Sequence, residues 1–332
     1  MLIRTLFPAL LVTASVMLFY SAYNGDFLNY RAPLTPVSIA VSRTPLSAPI
    51  YIADSMGLFK RHGLDVTLHE VIGGYRSFAQ VMDGHADFGT SSDSVLAFAA
   101  LEKQPYVALA TFVQSSDDIK ILSHKDSNVV TTTDLAGKKI GVVRGSASEY
   151  FLSVLTALNG SSPDNMELIS LHAEEMPEAL QSGRVQVTSC WEPFCYRTMK
   201  LMDLRASVLP TKGLNQLTFN LLSKKDYADA HQETVYQVLA SLKQAIQHIS
   251  QRPHEIQALL KSRLDLEDDF IQWIWPDYLF RLSISNSLLL NLNNQARWAM
   301  ENDLTGEREL PDFEQYFDPR ALTRLMPESV LF

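Results

Sequence analysis

From residue 37 onward the apolar and polar positions follow two rhythms, and each change of rhythm predicts a change of element. "VSIAVS" (Val37 to Ser42) is a short apolar run and predicts a strand. "APIYIADSMGLFKRHG" spaces its apolar residues as one amphipathic helix ending at Gly63. "LDVTLHEV" then alternates as a half-buried strand does. A Gly73-Gly74 turn, a helix through "YRSFAQVMDG", a strand "ADFGT" and a polar loop "SSDS" opening the apolar helix "VLAFAALEKQ" complete a first block.

A second block restates that order with other residues. "KKIGVV" predicts a strand, "RGSAS" a small polar loop, and "EYFLSVLTALNG" a helix ending in Gly160. "MELISLH", "EEMPEALQSG" and "RVQVTS" read as strand, helix and strand, and "CWEPF" as the closing loop. Val81 to Phe88 laid over Leu180 to Val187 keeps the glycines, Gly84 and Gly183, and the apolar positions in register. The period is about one domain, so the pattern predicts two similar α/β lobes with mostly parallel sheets rather than a solenoid.

In open parallel sheets, ligands gather outside the carboxyl ends of the strands, where loops feed helix N-termini. Four such loops carry hydroxyl or polar aromatic residues: Ser42 to Ser47, Thr90 to Ser94, Gly145 to Ser148 and Ser189 to Glu192. If the lobes face each other, all four meet in one cleft. Helix N-termini present unpaired N–H groups and a positive dipole end, which suits a small anionic or strongly polar solute. Trp191 could supply a flat apolar wall, and Glu192 could pair with an ammonium or accept from an N–H donor. The plainer readings stand beside these: Trp191 as core, and Ser91, Ser92, Ser146 and Ser148 as helix caps.

Length and charge narrow the class. The chain has 332 residues, enough for two ordinary domains, and a formal net charge of -9. That charge, with no Lys/Arg cluster beyond pairs such as Lys138-Lys139, excludes nucleic acid as a partner. No cofactor or metal is expected, because the eight histidines and two cysteines form no ligand spacing. Cys190 and Cys195 could form a disulfide in an exported protein, but their close spacing favours two buried free thiols. Leu6 to Tyr23 carries no charge and predicts a signal sequence or an uncleaved membrane anchor over residues 1–23, followed by a linker over 24–36. A lipoprotein attachment cysteine is absent there, so the anchor reading is preferred.

The stretches "ADSMGLFKRHGLDVTLHEVIGG", "VMDGHADFGTSSDSVLAFA", "DLAGKKIGVVRGSASEYFLSVLTALNG", "EALQSGRVQVTSCWEP" and "DFEQYFDPRALTRLMP" together carry a resemblance. The chain after residue 36 resembles the substrate-binding proteins of ABC importers for sulfonates, nitrate, taurine and thiamine-pyrimidine precursors, the group also described as THI5-like. The resemblance implies a periplasmic-binding-protein fold of the second type. One lobe would span 37–117 plus 218–332 and the other 118–217, with "LATFVQSSDDIKILSH" and "NQLTFNLLSKK" as the crossing segments. Carried over by motif, the cleft residues are Thr44 and Ser47, Ser91 and Ser92, Ser146 and Ser148, and Trp191 and Glu192. The chain departs from the group in having Gln186 where many relatives have an acid, and Ser-Cys-Trp-Glu-Pro where sulfonate binders tend toward Trp-x-x-Trp-Asp-Pro.

Three functions are then in play. A monomeric periplasmic binding protein would capture a small solute and present it to an ABC permease in the inner membrane. A membrane-anchored sensor of the same fold would report to a membrane partner instead. An enzyme is the weakest of the three, since the chain has neither a cysteine cluster, nor a G-x-S-x-G elbow, nor a phosphate loop.

Overall fold

The computed structural model describes residues 33–158, 165–214 and 216–331, and the elements below lie in the unit Thr35–Phe332. The apolar segment at 6–23 and the linker lie outside the described residues. Among the described residues no helix is long and apolar enough to cross a membrane.

Two sheets organise the chain. The larger has seven strands in the order β12-β11-β4-β10-β3-β1-β2. Its members are β1 (Thr35–Ser42), β2 (Leu64–Val71), β3 (Phe88–Ser92), β4 (Tyr106–Ser115), β10 (Leu217–Lys224), β11 (Leu279–Ser285) and β12 (Val330–Leu331). The smaller has the order β7-β6-β8-β5-β9, from β5 (Ile119–His124), β6 (Lys139–Val142), β7 (Glu167–Ser170), β8 (Val187–Trp191) and β9 (Ala206–Val208). The strands of the two repeats pair in parallel, β1 with β2 and β3, β6 with β7 and β8. The crossing segments add antiparallel partners: β10 lies between β3 and β4, and β5 between β8 and β9.

Those inserted strands correct two loop boundaries. The polar loop predicted at Ser91 to Ser94 is shorter, because Ser91 and Ser92 pair with Asn220 and Phe219 of β10 and the helix starts at Asp93. Cys190 and Trp191 likewise pair with Lys120 and Ile119, which carries β8 to the cleft before the loop begins. Pairing with a strand so far away in the chain has no local signature. The predicted helix from Ala48 to Gly63 is also divided: Ala48–Ser55 ends where Gly57 adopts φ +65°, and Leu58–Arg61 forms a separate turn.

The repeat holds at atomic detail. Gly84 and Gly183 both take positive φ, +79° and +74°, where a helix turns into the next strand. Three residues after each glycine, Asp87 Oδ2 accepts the Ser38 N–H (2.7 Å), and Gln186 Oε1 accepts the Lys139 N–H (3.1 Å). The acid-to-glutamine departure thus sits at a structural hydrogen bond that an amide oxygen also satisfies, away from the cleft. The core of the larger sheet is built on Ile39, Val41, Phe88, Phe112 and Leu221, and the smaller on Leu122, Met176, Leu180 and Val185. The free-thiol expectation is overturned: Cys190 and Cys195 are joined as a disulfide with Cα atoms 5.6 Å apart, inside the range that a bridge spans.

Candidate functional site

A cavity open to solvent lies between the two sheets and is lined from both. The loop after β1 contributes Arg43, Thr44 and Leu46, and the loop after β2 contributes Ile72 to Tyr75. Ser92 and Val95 come from the β3 end, Asp118 and Ile119 from the crossing, and Leu217 and Phe219 from β10. Ser146 and Ala147 open one helix, and Trp191 to Phe194 lead into another. The walls are mostly apolar with a few polar groups, as small-molecule sites are.

The loops hold their shape through hydrogen bonds that the hydroxyl residues themselves make. Thr44 caps the turn Pro45–Ser47, its side chain accepting from Leu46 N (3.4 Å), and Ser42 N donates to Thr90 Oγ1 (2.9 Å). Gly73 has φ +87°, and a Cβ on Gly74 would sit 3.0 Å from Ser91 Cα, so this turn needs glycine to pass the β3 end. Ser91 Oγ donates to Gly74 O (3.0 Å) and fixes that approach. In the Arg144 to Ser148 loop, Ser146 Oγ donates to Val143 O (2.7 Å) and Ser148 Oγ accepts from Val143 N (3.1 Å). Ser189 Oγ on β8 donates to Ser148 O (2.7 Å), tying loop and helix start to the neighbouring strand.

Of the eight residues expected in the cleft, Thr44, Ser92, Ser146, Trp191 and Glu192 line the cavity. Ser47, Ser91 and Ser148 lie behind the wall: Ser91 and Ser148 hold loops, and the buried Ser47 Oγ has no hydrogen-bond partner. Glu192 is fully buried and its carboxylate is already engaged. Lys120 Nζ is 3.0 Å from Oε1, Trp273 Nε1 donates to the same oxygen (2.7 Å), and Tyr196 N donates to Oε2 (3.0 Å). The N–H-acceptor reading of Glu192 fits this geometry, and the donors come from the protein.

Residues missed by motif are Tyr75, Phe194 and Phe219 on the walls and Asp118 at the inner end. Asp118 follows the Ser-Ser-Asp stretch at the crossing, where an acid just ahead of the apolar alternation of β5 was the available signal. Tyr278 OH donates to its Oδ1 (2.6 Å), and burial pushes its carboxyl up to about 7, with Glu192 adding to the rise and Lys120 opposing it. Asp277, beside Tyr278, accepts from Ser115 Oγ, from Ser116 N and Oγ (3.1 and 2.8 Å) and from Asp117 N (3.0 Å), so it pins the crossing backbone. Acids also occupy the first turns of two of the helices that reach the cavity, those starting at Asp93 and Ala147. Asp93 and Glu149 are buried, and Glu149 Oε2 accepts the Gly145 N–H (2.8 Å) while Asp93 Oδ1 accepts that of Ser94 (3.0 Å). No group of three or more His, Cys, Asp or Glu side chains among the described residues could hold a metal.

The sequence profile described as NMT1/THI5 like matches residues 44–256. YtlA of Bacillus subtilis, named as a binding protein, is 23% identical over 309 residues, 85% of this chain and 86% of that one. The aliphatic sulphonate binding protein SsuA from Escherichia coli superposes with a TM-score of 0.74 at 21% identity, over 86% of this chain and 98% of that one. SsuA from Xanthomonas axonopodis pv. citri, in its complex with MOPS, gives 0.75 at 20%, over 86% and 99%. The architecture is therefore the periplasmic binding protein fold, and the chain belongs to the NMT1/THI5-like family.

Proposed function

We propose that the chain is an extracytoplasmic solute-binding protein that captures a small polar or anionic organic solute and presents it to an ABC permease in the inner membrane. The observation that carries this reading is the cavity itself, walled by loops from two sheets at the carboxyl ends of their strands. Its two bodies, 37–117 with 218–332 and 118–217, act as lobes that close on the solute about the two chain crossings. Sulfonates are the first candidate class, by likeness to the sulfonate-binding relatives, and taurine-like compounds, nitrate and pyrimidine precursors follow from the family that the sequence resembles. Thr44, Ser92, Ser146 and Trp191 touch the solute, whereas Ser47, Ser91, Ser148 and Glu192 shape the wall. The protein binds without catalysis: both cysteine sulfurs are bonded to each other, so neither is a free nucleophile. Leu6 to Tyr23 carries the chain out of the cytoplasm and stays as a tether.

A thermal-shift screen tests this on protein unfolded and refolded to remove carried solute. A ligand at a hundredfold over its Kd adds about 2.7 kcal/mol and raises the midpoint by several degrees. One strong hit among these classes is expected; a cooperative protein with no hit across all of them would overturn the reading. Mass spectrometry of the exported protein decides the tether, which is abandoned if the chain begins near Asn24.

A further inference from the structure

Three carboxyl groups lie together near the chain crossing, Asp118 and Glu192 lining the cavity and Asp277 beside them, and two of the three are compensated within the protein. Glu192 faces Lys120, Trp273 and the Tyr196 N–H; Asp277 faces the hydroxyl and N–H donors of the crossing. Asp118 is different. It is 2% exposed, it lines the cavity, and only its Oδ1 is met, by Tyr278. Oδ2 accepts no hydrogen bond from any described residue. Lys120 is the cation at this end, and it is committed to Glu192, to the Asp117 carbonyl and, at 3.6 Å, to the Asp117 carboxylate. Arg43, on the rim, donates to Leu264 O (3.1 Å) and faces Glu70 (3.7 Å). A carboxylate with one open oxygen, removed from water and outnumbering its cations, is costly until a donor arrives from the cavity side.

We infer that Asp118 receives a positively charged nitrogen, an ammonium or an amidinium, of the bound solute, and that the apolar walls of Tyr75, Trp191, Phe194 and Phe219 hold the solute's body. This rests on the binding-protein reading and adds a charge requirement to it. It moves the amine-recognising role from Glu192, whose oxygens are taken, to the crossing between the sheets. The acids in the first turns of the helices starting at Asp93 and Ala147 agree with it, since they answer N–H groups that an anionic guest would otherwise use.

The test is calorimetric titration of the full-length, solute-free protein with matched pairs: benzamidine against benzamide, and 3-aminopropanesulfonate against propanesulfonate. In whichever pair binds, the cationic member is expected to bind at least about tenfold tighter at pH 8. At pH 5.5, below the value of about 7 to which Asp118 is raised, the preference falls to within about threefold. The charged or titratable groups facing Asp118 are Glu192, Lys120, Asp277 and Tyr278, and the Tyr278 hydroxyl, held far above its usual range by burial, remains a donor throughout. Asp118→Asn, shown folded by a cooperative melt, should level the pair, and Tyr278→Phe should keep the preference. An uncharged or purely anionic member that binds as tightly at both pH values overturns the assignment and leaves the binding-protein reading standing. Binding of no member at millimolar concentration overturns the assignment, whereas the binding-protein reading falls only if the thermal-shift screen also gives no hit.

Discussion

At the scale of single residues, burial decides what each polar side chain does. Glu192 and Lys120 are both buried, and two further donors to the carboxylate complete the pair. Removing one partner leaves the other charged and dry, so Glu192→Gln should cost about 3 kcal/mol, and Glu192→Gln with Lys120→Met clearly less than the sum of the two single changes. Urea unfolding of the four proteins measures this; additive losses would show that the pair is not coupled. Asp93 and Asp118 act through pH, since burial raises both carboxyls to about 7. Unfolded carboxyls near 4 lose their protons first, so from about pH 4 to about pH 7 the folded state holds more protons and stability falls as pH rises. The melting midpoint should therefore drop by several degrees between pH 5 and pH 8, and Asp93→Asn should flatten that drop. What was legible here was residue type at loop positions: five of eight motif residues line the cavity. Illegible were partners distant in sequence, such as Trp273 for Glu192 and Tyr278 for Asp118, which only the folded chain brings together.

At the scale of elements, the repeat was readable because each helix-to-strand turn solves the same local problem. A glycine with positive φ ends the helix, and a side-chain oxygen three residues on accepts an N–H of the adjacent strand. Gln186 does this with an amide, which predicts the outcome at the matching site. Asp87→Asn should cost under about 1 kcal/mol, and Asp87→Ala, which leaves the Ser38 N–H without its acceptor, about 1–3 kcal/mol. Equal losses in thermal unfolding would mean that the carboxylate's charge, rather than its oxygen, is what matters. The inserted strands β5 and β10 were not readable as antiparallel. Their apolar runs fit either direction, and the choice is made by where the chain crosses.

At the scale of the molecule, the elements around the two sheets meet through contacts of unequal strength. The segment leading into β11 packs firmly on the smaller body, with Tyr196 and Phe270 rings 4.9 Å apart and Trp273 bonded to Glu192. A second contact is an ion pair: Arg76, next to the cavity-lining Tyr75, reaches Glu174 of the other body at 3.1 Å. Both side chains are more than a third exposed, at 40% and 37%, so water and salt screen the attraction and its contribution to stability is about 0–1 kcal/mol. If the proposed lobes open, this exposed pair is the contact expected to part, rather than the packed aromatic one. Glu174→Ala should therefore leave the urea midpoint nearly unchanged while raising the solute's dissociation rate about two- to fivefold, the range that about 0.4–1 kcal/mol of lost closure allows. Raising salt from 50 mM to 500 mM should produce a similar increase in the parent protein and little more in the variant, because the variant has no pair left to screen. Stopped-flow displacement at both salt concentrations reads all four rates. A variant that releases solute at the parent rate would show that closure is held by the packed segment alone, and a large drop in its urea midpoint would show that Glu174 supports the fold rather than the closed cleft.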